Sequence, residues 1–226
     1  MSARGVNPRT YDNRRRAEQA RATRRRIIEA ARELLLAQGY ATTTIAQVAQ
    51  AAGVSPETVQ KGFGTKAALA KAVYDVTLVG DDEPVPLRER PEFVAIRAES
   101  DPVRKLAAYG VVGRSLWERL GPLIGVLMQG AQAGEPDLVA FVATIRRESY
   151  LGASGLVADL AARGALRPDL SVEQARDELW LLIQPELWLL LRGERGWTLD
   201  AVQAWFTRTA SAASPAGSSS PSPRPW

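Results

Sequence analysis

The segment from Thr44 to Leu69 limits what this chain can fold into more sharply than any other part of it. Thr44 is a good helix N-cap, and the apolar residues after it, Ile45, Val48, Ala49 and Ala52, recur at spacings of three and four. Gly53 ends that helix early. Val54 then plugs the turn, Ser55 caps a new helix, and Pro56 falls at its first position, where a missing N–H costs nothing. Glu57 suits the positive end of the helix dipole. Val59 and Phe63 face inward, which leaves Thr58, Gln60, Lys61 and Gly62 facing out. Gly64 and Thr65 open a fourth helix, running to Val79, with Lys66 in its first turn beside backbone N–H groups that attract anions. Two short helices around a glycine turn make a helix-turn-helix unit, whose second helix has the form that enters a DNA major groove.

Upstream, the spacing of Ile27, Ala31, Leu34 and Leu35 predicts a helix from Arg15 to Gln38, stopped by Gly39. Its first half is crowded with Arg14, Arg15, Arg16, Arg21, Arg24, Arg25 and Arg26, cations that oppose the helix dipole. Two readings stand: a solvated charged face, or a cluster that phosphates neutralise. The charge balance bears on the choice. Residues 1–80 carry 13 Lys+Arg against 6 Asp+Glu, whereas residues 81–226 carry 16 against 19. Such asymmetry points the N-terminal third toward a polyanion, either nucleic acid or a membrane surface. The membrane is the weaker reading, because no bulky aromatic anchor sits beside the arginines and the apolar stripe is claimed by the core.

Composition removes most enzymes. The chain has neither cysteine nor histidine. Thiolate sites, Ser-His-Asp hydrolysis and His-based zinc chemistry are excluded with them, and no glycine-rich phosphate loop is present. No enzyme activity, cofactor or metal is therefore expected. Leu179 to Leu191 is the longest apolar stretch, and Gln184, Pro185 and Glu186 interrupt it, so it is too short and polar to cross a bilayer. The arginine-rich start has no apolar segment of the signal-peptide kind. A soluble, cytoplasmic protein is the expectation.

The ungapped run from Gly39 through Thr44-Ile45-Ala46-Gln47-Val48-Ala49 and Gly53-Val54-Ser55 to Lys66-Ala67-Ala68-Leu69 resembles the DNA-binding domain of TetR-family transcriptional regulators. The resemblance implies a homodimer with N-terminal DNA-binding heads and a C-terminal helical domain for ligand binding and dimerisation. It further implies repression that a small effector relieves. On that footing Thr43 and Thr44 match the phosphate-contacting start of the second helix, and Lys66 matches a phosphate-contacting lysine. Ser55, Glu57, Thr58, Gln60, Lys61 and Gly62 fall on the recognition helix or its cap, with Arg24 from the first helix beside them. Two positions depart from the family pattern, which usually has an aromatic at Gln60 and Tyr or His at Gly62. Gly62 weakens a short helix by about 0.5–1 kcal/mol, yet it permits close approach of a phosphate. Gln60 retains the donor and acceptor that read adenine.

Downstream the pattern is helical throughout. Asp101-Pro102 opens a helix that Gly121-Pro122 breaks near Arg119, and a second helix runs to about Ala133. Gly134 to Asp137 open the longest one, ending at Gly164. Another spans Val172 to Leu191 with a kink at Pro185, which would free the carbonyl of Leu181. The last helix begins at Thr198 and reaches about Ala212. Tyr109, Trp117, Met128, Phe141, Tyr150, Trp180 and Gln184 are candidate walls of an effector pocket, and they are equally candidates for plain core. Leu187, Trp188, Leu191, Trp205 and Phe206 exceed what one small bundle can cover, which predicts a two-fold interface between copies.

The expected fold is thus all-α: a helix-turn-helix domain over residues 14–79 and a helical bundle over 92–213. Residues 80–91 form a linker, residues 1–13 a mobile basic arm, and residues 214–226 a disordered Ser/Pro/Gly tail. The expected partners are double-stranded operator DNA, a small apolar effector and a second copy of the chain, without membrane. A helical dimer that binds a small molecule or protein without specific DNA binding is the alternative.

Overall fold

Each helix end in the N-terminal part has a local cause. In the computed structural model, which describes residues 8–81, 83 and 85–212, helix α1 spans Pro8–Thr42. The backbone leaves the helical region at Gly39, with φ 82 and ψ 173, a conformation essentially restricted to glycine. An added Cβ there would meet nothing within 4 Å, so the glycine serves the backbone and not the packing. Helix α2 (Ile45–Ala52) is opened by a capping box: the Gln47 N–H donates to Thr44 Oγ1, and the Thr44 N–H donates to Gln47 Oε1 at 2.9 Å. Gly53 closes it in the left-handed conformation. Ser55 and Pro56 open α3 (Pro56–Phe63), and Thr65 accepts from the Ala68 N–H at the start of α4 (Lys66–Val79).

Ile27, Ala31 and Leu35 of α1, Val48, Ala49 and Ala52 of α2, Val59 of α3, and Leu69, Ala70 and Val73 of α4 are buried. Each large aliphatic among them contributes about 1.5–3 kcal/mol by leaving water. The fold is all-α, as expected, and no strand occurs among the described residues. The chain divides into two compact units, Met1–Thr77 and Leu78–Trp226.

The second unit corrects several expectations. Helix α6 (Pro102–Gln132) runs unbroken through Gly121 and Pro122. Proline withdraws one hydrogen bond and crowds the carbonyl four residues earlier, here that of Glu118. Pro122 and Glu118 are both exposed, so water can serve that carbonyl. Gly121, with no Cβ, relieves the steric restriction on the residue before proline. Helix α6, and not α7 (Pro136–Ala162), is therefore the longest of this unit. The helix expected from Val172 to Leu191 is in fact α8 (Val172–Leu182), α9 (Pro185–Leu189) and a π turn over Leu190–Glu194. Pro185 starts α9 where it was expected to kink a continuous helix, and the Leu181 carbonyl is not free, since it accepts from the Gln184 N–H at 3.1 Å. Helix α10 (Leu199–Ser211) closes the chain.

The expected linker also carries structure. A 3-10 turn over Leu87–Glu89 leads into α5 (Pro91–Ala98), a helix the sequence reading overlooked. Arg90 pairs with Asp81 through a pair of hydrogen bonds, one of 2.7 Å. The Arg90 guanidinium, helped by the Glu83 N–H, lowers the Asp81 carboxyl to about 2. Helix α1 begins at Pro8, inside the segment expected to be a mobile arm, because proline suits a first helical turn and no breaker follows it. Residues 1–7 of that arm and the tail 214–226 lie outside the described residues.

A lysine lies in the second core. Lys105 of α6 is 1% exposed, pairs with Asp159 of α7 and donates to the Arg97 carbonyl at the end of α5 at 3.4 Å. Arg163 and then Lys105 hold the Asp159 carboxyl below its usual range. Leu106, the next residue of α6, is packed with Leu156, Val157, Leu160, Leu179 and Phe206. Among the described residues no helix is long and apolar enough to cross a membrane.

Candidate functional site

The outward face of α3 is built from short-range bonds. Ser55 Oγ accepts from the Thr58 N–H at 3.3 Å and lies 3.2 Å from Thr58 Oγ1, so cap and first turn hold one another. Val59 is fully buried and anchors the helix, which leaves Glu57, Thr58, Gln60, Lys61 and Gly62 exposed. The backbone N–H of Glu57 and the Ser55 hydroxyl hold the Glu57 carboxyl below its ordinary value. A Cβ at Gly62 would meet nothing within 4 Å, and its φ is unexceptional. Nothing inside the protein therefore requires glycine there, and what remains is room outside the helix for close approach.

Beside this face opens a groove of about 540 Å³ between α1 and α3, lined in part by Arg16, Gln19, Arg24, Thr58, Lys61 and Gly62. Among the described residues lining it are three cations and no carboxylate. The Arg24 guanidinium lies 4.4 Å from the centre of the Phe63 ring, which steers it toward the end of α3. Phe63 is half-buried, less enclosed than the sequence pattern predicts. Arg24 thus joins Lys61 on one surface, and Arg16 adds a charge to it.

Of the expected phosphate contacts, Thr43 is buried and Lys66 is half-buried with a partner inside the protein. Thr43 is 2% exposed, and its hydroxyl donates to the Gly39 carbonyl at 2.7 Å, so it closes the break in α1 and does not face solvent. Lys66 Nζ donates to the Tyr40 carbonyl at 3.0 Å and lies 4.1 Å from the centre of the Tyr40 ring. A cation there satisfies the carbonyls that end a helix, so Lys66 braces α4 against the end of α1. Thr44 stays exposed. Gln38 Nε2 donates to Gln47 Oε1 at 3.2 Å and joins the two helices, a pairing that only the fold reveals, since nine residues separate them.

In the second unit the aromatic candidates separate. Tyr109, Trp117 and Gln184 line one cavity with Arg114, Trp188, Trp205 and Phe206 among others. Trp117 stacks on Trp188 with ring centres 5.6 Å apart, and Tyr109 stacks on Phe206 at 5.9 Å. Burial pushes the Tyr109 phenol up to about 12, so it stays neutral. Tyr150 and Trp180 form a separate edge-on pair, with Trp180 Nε1 donating to the Arg146 carbonyl at 3.1 Å. Met128 is buried and Phe141 half-buried, and neither lines the cavity.

The residues expected at a dimer face also fall differently. Trp188 and Phe206 are each 7% exposed within the single chain, so one protomer does cover them. Leu187, Leu191 and Trp205 are half-buried. Gly110 and Gly113 belong, with Tyr109, Arg114 and Trp117, to the α6 wall of the cavity; Gly113 is among the glycines whose spacing leaves room in the bundle, whereas Gly110 carries no such signal. Among the described residues no group of acidic side chains is placed to hold a metal ion.

Comparison with known proteins gives relatives for both the N-terminal sequence and the fold. Residues 27–73 match the model of the bacterial regulatory proteins of the tetR family. The HTH-type transcriptional regulator TtgR of Pseudomonas putida is 42% identical over 62 residues, which cover 27% of this chain and 30% of that protein. The match to such curated relatives thus spans under a third of their length. Among solved structures, NalD, the secondary repressor of the MexAB-OprM multidrug efflux pump in Pseudomonas aeruginosa, is similar with a TM-score of 0.63 and 26% identity. That match covers 87% of this chain and 98% of NalD. A TetR transcriptional regulator from Chloroflexus aurantiacus is similar with a TM-score of 0.59 and 26% identity, over 85% and 94% of the two chains.

Proposed function

From the premise that residues 27–73 are a TetR-family DNA-binding domain carried on a fold of that family, we propose that this protein is a ligand-responsive transcriptional regulator. The observation that carries the reading is the cation-lined groove beside the exposed face of α3. Arg16, Arg24 and Lys61 neutralise backbone phosphates, which positions the head on the duplex, and the α3 side chains read base edges. Thr58 and Gln60 are the base-reading candidates, the latter through its bidentate amide. Thr44 meets a flanking phosphate at the exposed start of α2.

The regulator works as a homodimer on a pseudo-palindromic operator, its two recognition helices about 34–36 Å apart. The half-buried Leu187, Leu191 and Trp205 supply part of the interface. Repression is the role named for NalD, and we infer the same sign here. An apolar effector in the second unit releases the operator. By linkage, that effector binds the DNA-bound protein more weakly than the free protein, by the same factor.

Selection of genomic DNA fragments at several salt concentrations tests this, with Lys61→Ala beside the wild type. The expected result is one enriched inverted repeat, with a salt slope shallower by about one unit in the variant. Steep salt-dependent binding without an enriched sequence overturns operator recognition and favours a helical dimer whose main business is its small-molecule site.

A further inference from the structure

Gln184 is the most unusual residue of the second unit. It is a neutral amide 6% exposed, at the break between α8 and α9, and it lines the aromatic cavity. Its Nε2 donates to the Trp180 carbonyl at 2.8 Å and lies 3.4 Å from Ser149 Oγ. That carbonyl can only accept, so it fixes which end of the amide faces it. Oε1 is left as the other end, buried, and no protein donor reaches it. A buried acceptor without a donor costs about 1–3 kcal/mol, and a donor supplied from outside the chain recovers part of that.

The surroundings define what such a donor belongs to. The walls are the stacked pairs Trp117–Trp188 and Tyr109–Phe206, which favour a flat ring. Arg114 is the one charged residue among the described lining residues, and Asp200 and Glu118 already pair with it. A charged ligand would therefore find no free counter-charge there. The glycines of α6 show where the room is. A Cβ at Gly110 would lie 2.8 Å from Thr207 Oγ1, and one at Gly121 would lie 2.5 Å from Trp188 Nε1, whereas one at Gly113 meets nothing within 4 Å. The cavity is about 40 Å³, room for a few waters and far below a drug-sized site, so only a small ligand suits it, and half-buried Gln203, which has no part in the proposed dimer interface, is the lining side chain that would give way to admit it.

We propose that this cavity takes a small, neutral, single-ring aromatic molecule bearing an O–H or N–H donor, which hydrogen-bonds to Gln184 Oε1. The assignment rests on the effector reading above and narrows it to a chemical class. Gln184 then sets specificity: a site built to accept a hydrogen bond rejects the analogue that lacks one.

The test uses the full chain without DNA and a matched pair of probes, 4-ethylphenol and its methyl ether 4-ethylanisole, titrated by calorimetry. The phenol is expected to bind the wild type at least tenfold tighter than the ether. Gln184→Leu is expected to bring the two within about threefold of each other, since the Trp180 carbonyl keeps its bond from the Ile183 N–H. Gly113→Leu, which fills open space on a helix, is expected to abolish binding of both while circular dichroism stays at wild-type values and the melting temperature does not fall. Equal binding of the two probes, a preference that survives Gln184→Leu, or no binding of either at its solubility limit overturns the proposal. Operator selection is scored separately, so a failure here leaves the DNA reading standing, and a failure there leaves these affinities interpretable.

Discussion

Both units open helices with local caps (Asp101, Ser171 and Thr198 do so in the second), but they differ in what else shapes those helices. In the first, α2, α3 and α4 are each opened by a side chain within a few residues: Thr44, Ser55 and Thr65. In the second, α6 is shaped by residues far along the chain. Trp188 fits against Gly121, Thr207 and Phe206 fit against Gly110, and Asp159 meets Lys105. Short helices that present a face to a ligand need fixed ends, because few turns share the load. Long helices can carry a proline, an open glycine or a buried cation, provided that neighbours compensate. Recognition chemistry is thus mounted on locally determined pieces, and the cavity arises from long-range fit.

Substitutions that separate local from distant causes should break this contrast, and the largest effects belong to the second unit. Asp159→Ala leaves the Lys105 ammonium buried with one long carbonyl contact and is expected to destabilise by about 3–5 kcal/mol in urea melts. Lys105→Met, which removes the buried charge and keeps the volume, is expected to stay within about 1.5 kcal/mol of wild type. Similar losses from both would mean that packing, not charge, governs the site. Next comes Gly121→Ala: helix propensity favours it, yet the new Cβ strikes the Trp188 ring, so a net loss of about 1–3 kcal/mol is expected.

Smaller effects test the first unit and the segment that opens the second. Gly62→Ala is expected to stabilise by about 0.5–1 kcal/mol and to weaken operator binding, read as a rise in melting temperature with a fall in affinity. If affinity and stability rise together, the open space at Gly62 is not used by DNA. The smallest effect concerns Asp81, whose carboxyl is held down to about 2 against 3.8. Its pairing with Arg90 therefore contributes fully above about pH 4, and that contribution fades as pH falls through about 2. Amide exchange over residues 85–90 should lose protection across that window in the wild type, and Asp81→Asn should flatten the change.

This division also decides what could be read from the residues alone. Thr44, Gly53, Ser55 and Pro56 act on neighbours within four positions, so their effects are written in the local order of the chain. Gly121-Pro122 obeys the same local rule and misled, because solvent at Glu118 and a tryptophan 67 positions downstream decide whether that helix continues. Lys105 follows Arg104 in a pattern that reads as surface, and only its distant partner Asp159 explains its burial. Gln184 stands out in the sequence, whereas Tyr109 and Trp117 read equally as core, and which of the seven ligand candidates share a wall depends on how α6, α8 and α10 cross. Thr43 and Lys66 show the converse. The resemblance located both; Thr43 is buried and bonded to the Gly39 carbonyl, whereas half-buried Lys66 reaches from α4 to the end of α1.

The open space in front of Gly113 carries an evolutionary consequence. Most single replacements at a mid-helix glycine improve helix formation, so this position tolerates change with little penalty to folding. Each larger side chain there shrinks the adjoining cavity by a step, while Gln184 and the stacked rings stay as they are. If the cavity takes an effector and the α3 face meets DNA, as proposed, a lineage of such proteins could retune the size of the molecule it senses, one substitution at a time, without rebuilding the other surface.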